Sequence, residues 1–141
     1  MAAGALIFTG VGPGQTIPAV AFGQHVAGIA QAPPQDVTLD AIRLWDTGTR
    51  WDQIEPTQGQ YNWAPLDAAV ANAQAAGATD ILYVLGSTPQ WAARNPNLSG
   101  LYGDGTTSLP ADVEYYLEFV RQVAKRYQGK ITSYQMWNEA N

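Results

Sequence analysis

Four short apolar runs alternate along the chain with two stripes of helical period and two long stretches broken by glycine and proline. Pro18 to Gly23 reads as a buried strand that ends just before Gln24 and His25. A turn or short helix precedes the Pro33-Pro34 break, and Ala41 to Asp46 then forms a second strand interrupted by one charge, Arg43. Thr79 to Leu85 is the third strand and Ile131 to Trp137 the fourth. Between the second and third, Pro65 suits the first turn of a helix in which Leu66, Val70 and Ala73 share a face, and Gly77 supplies the stop. Between the third and fourth, a helix begins at Pro110 and carries Val113, Tyr116, Leu117, Val120, Val123, Ala124 and Tyr127 at intervals of three and four. Its acids, Asp112 and Glu114, lie at the start. Its bases, Arg121, Lys125 and Arg126, lie towards the end before Gly129, as the helix dipole prefers.

Strands that alternate with helices run parallel, and continuous apolar runs mean that both sheet faces are covered. A doubly wound sheet and a β/α barrel both satisfy this order. In either, polar groups at strand C-termini mark the place for chemistry. Here those groups are His25, Asp46, the loop after Gly86, and Asn138 with Glu139. Thr47 to Trp63 reads as a folded connection in which Trp51, Tyr61 and Trp63 serve as packing anchors. Ser87 to Leu109 is longer than a compact domain usually tolerates without a functional reason.

Composition narrows the function classes. At 141 residues, 46% hydrophobic and 13% charged, the chain is one domain with a sizeable core. Its net charge of -5 and lack of a basic run argue against nucleic acid and anionic membrane as partners. No cysteine and a single histidine leave no basis for thiol chemistry or a metal site, and no cofactor is expected. The apolar run Ala2 to Val11 has no basic flank and so is not a clear signal peptide. Gly10 to Gly14 reads as a turn, since Pro13 removes a donor that a phosphate loop would need.

Read together, Ile42-Arg43-Leu44-Trp45-Asp46, Trp51 with Ile54-Glu55-Pro56, Gly59-Gln60-Tyr61-Asn62-Trp63, Leu66-Asp67, Leu85 to Ala92 and Trp137-Asn138-Glu139 resemble the first half of a clan A retaining glycoside hydrolase. The nearest likeness is to the family 39 β-xylosidase-like group, followed by family 5 cellulase-like enzymes. The resemblance implies α/β architecture, the first four strands of a TIM (β/α)8 barrel, forming one partial domain over residues 1–141 that is truncated after its fourth strand. It implies Glu139 as acid/base, Asn138 as the residue hydrogen-bonding the sugar 2-hydroxyl, and Arg43, His25, Trp91 and Asp46 as substrate-binding. The nucleophile of such enzymes is a glutamate on the seventh strand, for which this chain has no counterpart. The expected partner is an oligo- or polysaccharide, with a second copy or a C-terminal half-barrel completing the structure. That substrate class favours an extracellular setting. The alternative is a non-catalytic half-barrel that binds carbohydrate or self-associates.

Overall fold

Alternating apolar strands and amphipathic helices build a four-stranded parallel sheet in the order β1-β2-β3-β4, covered by helices on one face. The computed structural model describes residues 23–138. The strands are β1 (Gly23–Gln24), β2 (Ala41–Leu44), β3 (Asp80–Val84) and β4 (Ser133–Gln135). The helices are α1 (Trp51–Ile54), α2 (Ala64–Ala75) and α3 (Val113–Arg126). Ile42 lies opposite Ile81, Leu44 opposite Tyr83, and Val84 opposite Gln135. Sequential parallel strands with intervening helices are the unit of a β/α barrel.

Side chains alternate across a strand. Ile42, Leu44, Ile81 and Tyr83 project to the helical side and join one core with Leu66, Ala69, Val70 and Ala73 of α2 and Phe119 and Val123 of α3. Arg43, between Ile42 and Leu44, therefore points to the opposite, inner face.

The helix ends follow local chemistry. Gly77 has φ of +96°, its N–H donates to Gln74 O at 3.0 Å and Ala78 N donates to Ala73 O at 3.0 Å. Those two bonds are a Schellman termination, which satisfies carbonyls that the helix would otherwise leave open. Helix α3 begins at Val113 and not at Pro110, because Asp112 stays extended and its Oδ1 accepts from Glu114 N at 2.9 Å. Pro110 and Ala111 instead tie back to the preceding loop, through Ala111 N to Ala92 O at 2.8 Å. On α3, Phe119 is fully buried although it fell outside the expected stripe, whereas Val113 and Ala124 are exposed.

Other boundaries also moved. The expected strand from Pro18 lies outside the described residues except for Gly23, as do the Gly10 to Gly14 turn and the Ala2 to Val11 run. Pairing in β2 ends at Leu44, after which Asp46 turns the chain at φ of +48°. Residues 27–32 form turns where a short helix was an alternative. The Thr47 to Trp63 connection contains α1, and a single 3-10 turn, Gln90–Ala92, interrupts the long loop after β3.

One ion pair locks α2 to α3. Arg126 donates from Nε and Nη2 to the two oxygens of Asp67 at 3.0 and 2.5 Å, and Tyr127 donates its hydroxyl to Asp67 at 2.8 Å. The Arg126 bonds hold the Asp67 carboxyl below its usual range, against the opposing effect of its partial burial. A carboxyl lowered in the folded state stabilises above its unfolded pKa, and that contribution is lost as pH falls through the folded value. Because both partners are almost half exposed, the contribution is on the order of 1 kcal/mol or less. Asp67→Asn is expected to lower stability at neutral pH by that amount. Urea unfolding at a series of pH values should show the gap between parent and variant closing below about pH 4.

Candidate functional site

The inner face of the sheet carries a hydrogen-bonded cluster at the C-terminal ends of β2 and β4. Arg43 donates from Nε to Gln135 Oε1 at 3.1 Å and from Nη2 to Asn138 Oδ1 at 2.6 Å. A guanidinium has donors only, so both amides must turn their oxygens towards it. Gln135 then uses its own amide nitrogen to donate to Trp137 O at 2.7 Å. Asn138 is left with its Nδ2 hydrogens directed away from the arginine. Arg43 thereby orients the last residues before Glu139, which itself lies one position beyond the described residues.

His25 reaches the same place from β1. Its Nδ1 lies 3.2 Å from the Arg43 carbonyl, which can only accept, so Nδ1 carries the proton and Nε2 is the basic nitrogen. His25 thus touches the main chain of Arg43, whose side chain holds Asn138.

Asp46 and Trp91 are held elsewhere. Asp46 lies beyond the β2 turn and faces Arg50 at 3.9 Å. Arg50 also forks onto Asp52 at 3.0 and 3.1 Å and sits 4.0 Å over the Tyr102 ring. Burial and the Asp46 carboxylate push the Tyr102 hydroxyl up from its usual range. Trp91 is on the helical side of the sheet. Its Nε1 donates to Glu55 O at 2.9 Å, and its ring meets Trp51 edge-on at 6.2 Å and Tyr115 at 5.3 Å.

Some residues of this face gave little warning. Gln135 shares the inward parity of Arg43, as strand register shows: Arg43 lies beside Leu82, Leu82 beside Ser133, and Gln135 follows two residues on. That parity was the available signal. Ser87 has φ of +70°, and its Oγ is buried with no hydrogen-bond partner among the described residues. The turn aims the Gly86 and Ser87 carbonyls at α1, where they accept from Trp51 N at 2.9 Å and Asp52 N at 3.0 Å. Tyr116 links α3 to the same strand ends, its hydroxyl lying 2.9 Å from Leu85 O and 2.6 Å from Met136 O. Burial pushes that hydroxyl up to about 12, so it remains a donor at neutral pH.

The arrangement suits recognition of hydroxyls by an amide donor held in place by Arg43. Among the described residues no group of three His, Cys, Asp or Glu is placed to hold a metal, and no helix is long and apolar enough to cross a membrane.

Residues 44–141 match Glycosyl hydrolase family 10. The chain is also similar to Endo-1,4-beta-xylanase A of Fusarium oxysporum f. sp. lycopersici, at 30% identity over 98 residues. That alignment covers 67% of this chain and 27% of the relative, so the chain spans little more than a quarter of the curated relative it matches. The match begins at Leu44, leaving His25 and Arg43 to rest on geometry alone. The family 39 likeness is corrected by this finding. Both families lie in clan A, and a strand-end pattern of this kind reports the clan before it reports the family. With its parallel β/α sheet and a match over most of its length, this chain belongs to glycosyl hydrolase family 10, within clan A.

Proposed function

We propose that this chain supplies the acid/base side of a retaining glycoside hydrolase acting on β-1,4-linked xylan. It forms the β1 to β4 part of the barrel as one partial domain. Glu139 is the acid/base residue and Asn138 hydrogen-bonds the sugar 2-hydroxyl. The Arg43 to Asn138 bond carries the reading, because it engages the Asn138 amide oxygen and turns the amide hydrogens away from the arginine, one residue before Glu139 in the sequence. A donor fixed in that way strengthens its bond to the 2-hydroxyl as the oxocarbenium-like transition state forms. The similarity to a protein named as an endo-1,4-beta-xylanase supports xylan as the polymer.

Retention needs two carboxyls about 5–5.5 Å apart, one of them a nucleophile. Of the acids closest in kind to that role, Asp46 faces Arg50, and Glu55 is committed to Trp51 and Gly59 on the helical side, so neither is assigned as the nucleophile. The purified 141-residue chain is therefore expected to bind xylo-oligosaccharides without hydrolysing them. Titration with xylotetraose, followed by tryptophan fluorescence, should show saturable binding that Asn138→Ala weakens about tenfold, the loss of a hydrogen bond in an oriented site. Turnover of an aryl β-xyloside that Glu139→Gln abolishes would overturn the division of roles.

A second reading, self-association, is favoured by one observation. Tyr134 on the edge strand β4 and Met136 just past it are 37% and 54% exposed, an apolar surface at a sheet edge that a second copy would cover. Sedimentation of the same sample distinguishes the two, since a sugar-binding monomer leaves no role for a required dimer.

A further inference from the structure

A second concave surface lies on the helical side of the sheet, where the Thr57 to Gln60 turn meets the first half of α3. This cleft, of about 230 Å³, is bordered by the aromatic residues Tyr61, Trp91 and Tyr115 and by the polar residues Gln58, Glu114 and Glu118. It is separate from the Arg43 cluster. Trp91 packs against Trp51, and Trp51 stacks on Phe119 at 5.4 Å in the core between sheet and helices. Arg43 points the other way.

The walls are fixed before any ligand arrives. Trp91 is anchored by its bond to Glu55 O and makes a tilted pair with Tyr115, at 58° between planes. The Glu55 carboxylate at the floor accepts from Trp51 Nε1 and Gly59 N, both at 2.8 Å. Burial and that carboxylate push the Tyr61 hydroxyl up to about 12, so it stays protonated.

The charges are also already met. Arg121 bridges Glu114 and Glu118 at 3.3 Å each, and Gln122 donates to the second Glu118 oxygen at 2.7 Å. A cation entering the cleft would have to compete with Arg121 for those carboxylates. A neutral polyhydroxylated ligand would not: it meets oriented acceptors, an exposed amide at Gln58 and aromatic surface for its C–H faces. The volume lies below the roughly 300–1,000 Å³ of a drug-sized pocket and suits a single ring of an extended chain.

We propose that this cleft is an accessory carbohydrate site, in which one sugar ring of a β-linked polysaccharide packs on Trp91 and Tyr115 while Gln58 and Glu114 bind its hydroxyls. The proposal rests on the carbohydrate reading given above and adds a second contact outside the catalytic face. Such a site raises the local concentration of polymer at the protein through avidity.

The test uses the ¹⁵N-labelled 141-residue chain titrated with xylotetraose, following the Trp91 indole N–H and the Gln58 side-chain amide for the cleft and the Asn138 side-chain amide for the inner face. The expected result is saturable shifts of both sets with different midpoints. Tyr115→Ala should weaken the cleft isotherm about two- to tenfold, the range for one aromatic contact, and leave that of Asn138 unchanged. Should Tyr115→Ala disturb folding, Gln58→Ala carries the test: its side chain is exposed, and an unchanged cleft isotherm in that variant overturns the proposal. Shifts at Asn138 alone overturn the accessory site and leave the proposed function standing. Shifts at the cleft alone sustain the accessory site and count against sugar binding on the inner face. No shift at either position overturns both, and a lysine-rich peptide that moves the cleft signals where xylotetraose does not would assign a cationic ligand instead.

Discussion

Trp51→Ala is expected to be the most destabilising single substitution in this chain, lowering the unfolding free energy by about 3–5 kcal/mol. Trp51 is fully buried, stacks on Phe119 with 19° between planes, and packs against Tyr116 at 5.5 Å and Trp91 at 6.2 Å. Removing the ring leaves a cavity between α1 and α3 that cannot collapse without moving both. It also removes the indole donor from the buried Glu55 carboxylate, a loss of about 1–3 kcal/mol in its own right. Since a domain of this kind has a total stability of about 5–15 kcal/mol, the variant loses a large share of it. Trp51→Phe refills much of the volume without the N–H and should fall between parent and alanine variant. Urea unfolding of the three proteins measures this, and a loss under about 1 kcal/mol for Trp51→Ala would show that the aromatic cluster does not hold the two helices together.

Trp51 also illustrates which parts of the structure were legible in the sequence. Its surroundings in Thr47 to Trp63 show no helical period, so a connection was expected, and α1 forms only because Gly86 and Ser87 lend their carbonyls from the end of β3. A helix of four residues capped by a distant backbone has no local signature. Strands β2 and β3 and helix α2 were legible because burial follows strand and helix period there: Ile42 and Leu44 on one face, Leu66, Val70 and Ala73 on one stripe. Helix α3 starts three residues after Pro110, since Pro110 and Asp112 both carry first-turn signals and the Glu114 N–H bond accepted by the Asp112 side chain decides between them.

The site divided in the same way. That Arg43, within an apolar strand, needs a polar partner follows from elementary electrostatics. That the partners are Gln135 and Asn138 follows from the register of the three strands β2, β3 and β4, which no local pattern contains. Asp46 and Trp91 follow strands just as Asn138 does, yet the turn at Asp46 and the packing of Trp91 on Tyr115 carry them away from the Arg43 cluster. Position after a strand brings a residue to the right end of the sheet; backbone turns and core packing choose the face.

Under the proposed function, Glu139→Gln is expected to cause the largest loss of activity, and the loss should depend on the leaving group. The measurement requires a second carboxylate, so the chain is joined to the β5 to β8 half of a family 10 xylanase and assayed as a complete barrel. On xylan the departing sugar hydroxyl is a poor leaving group and must be protonated as the bond breaks. Glutamine cannot donate that proton, and kcat/KM should fall by about 10²–10⁴-fold. On a dinitrophenyl β-xyloside the phenolate departs without help, so formation of the glycosyl intermediate proceeds almost as in the parent. Its hydrolysis then lacks a base to deprotonate water, and kcat falls while kcat/KM changes little, with a burst of dinitrophenolate before a slow steady state. The alkaline limb of the pH profile on xylan, which reports ionisation of the acid, should vanish in the variant. Asn138→Ala acts on the sugar and not on the leaving group, so it should lower kcat/KM on both substrates by a similar factor. Equal losses on both substrates for Glu139→Gln, with the alkaline limb intact, would assign the proton to another residue.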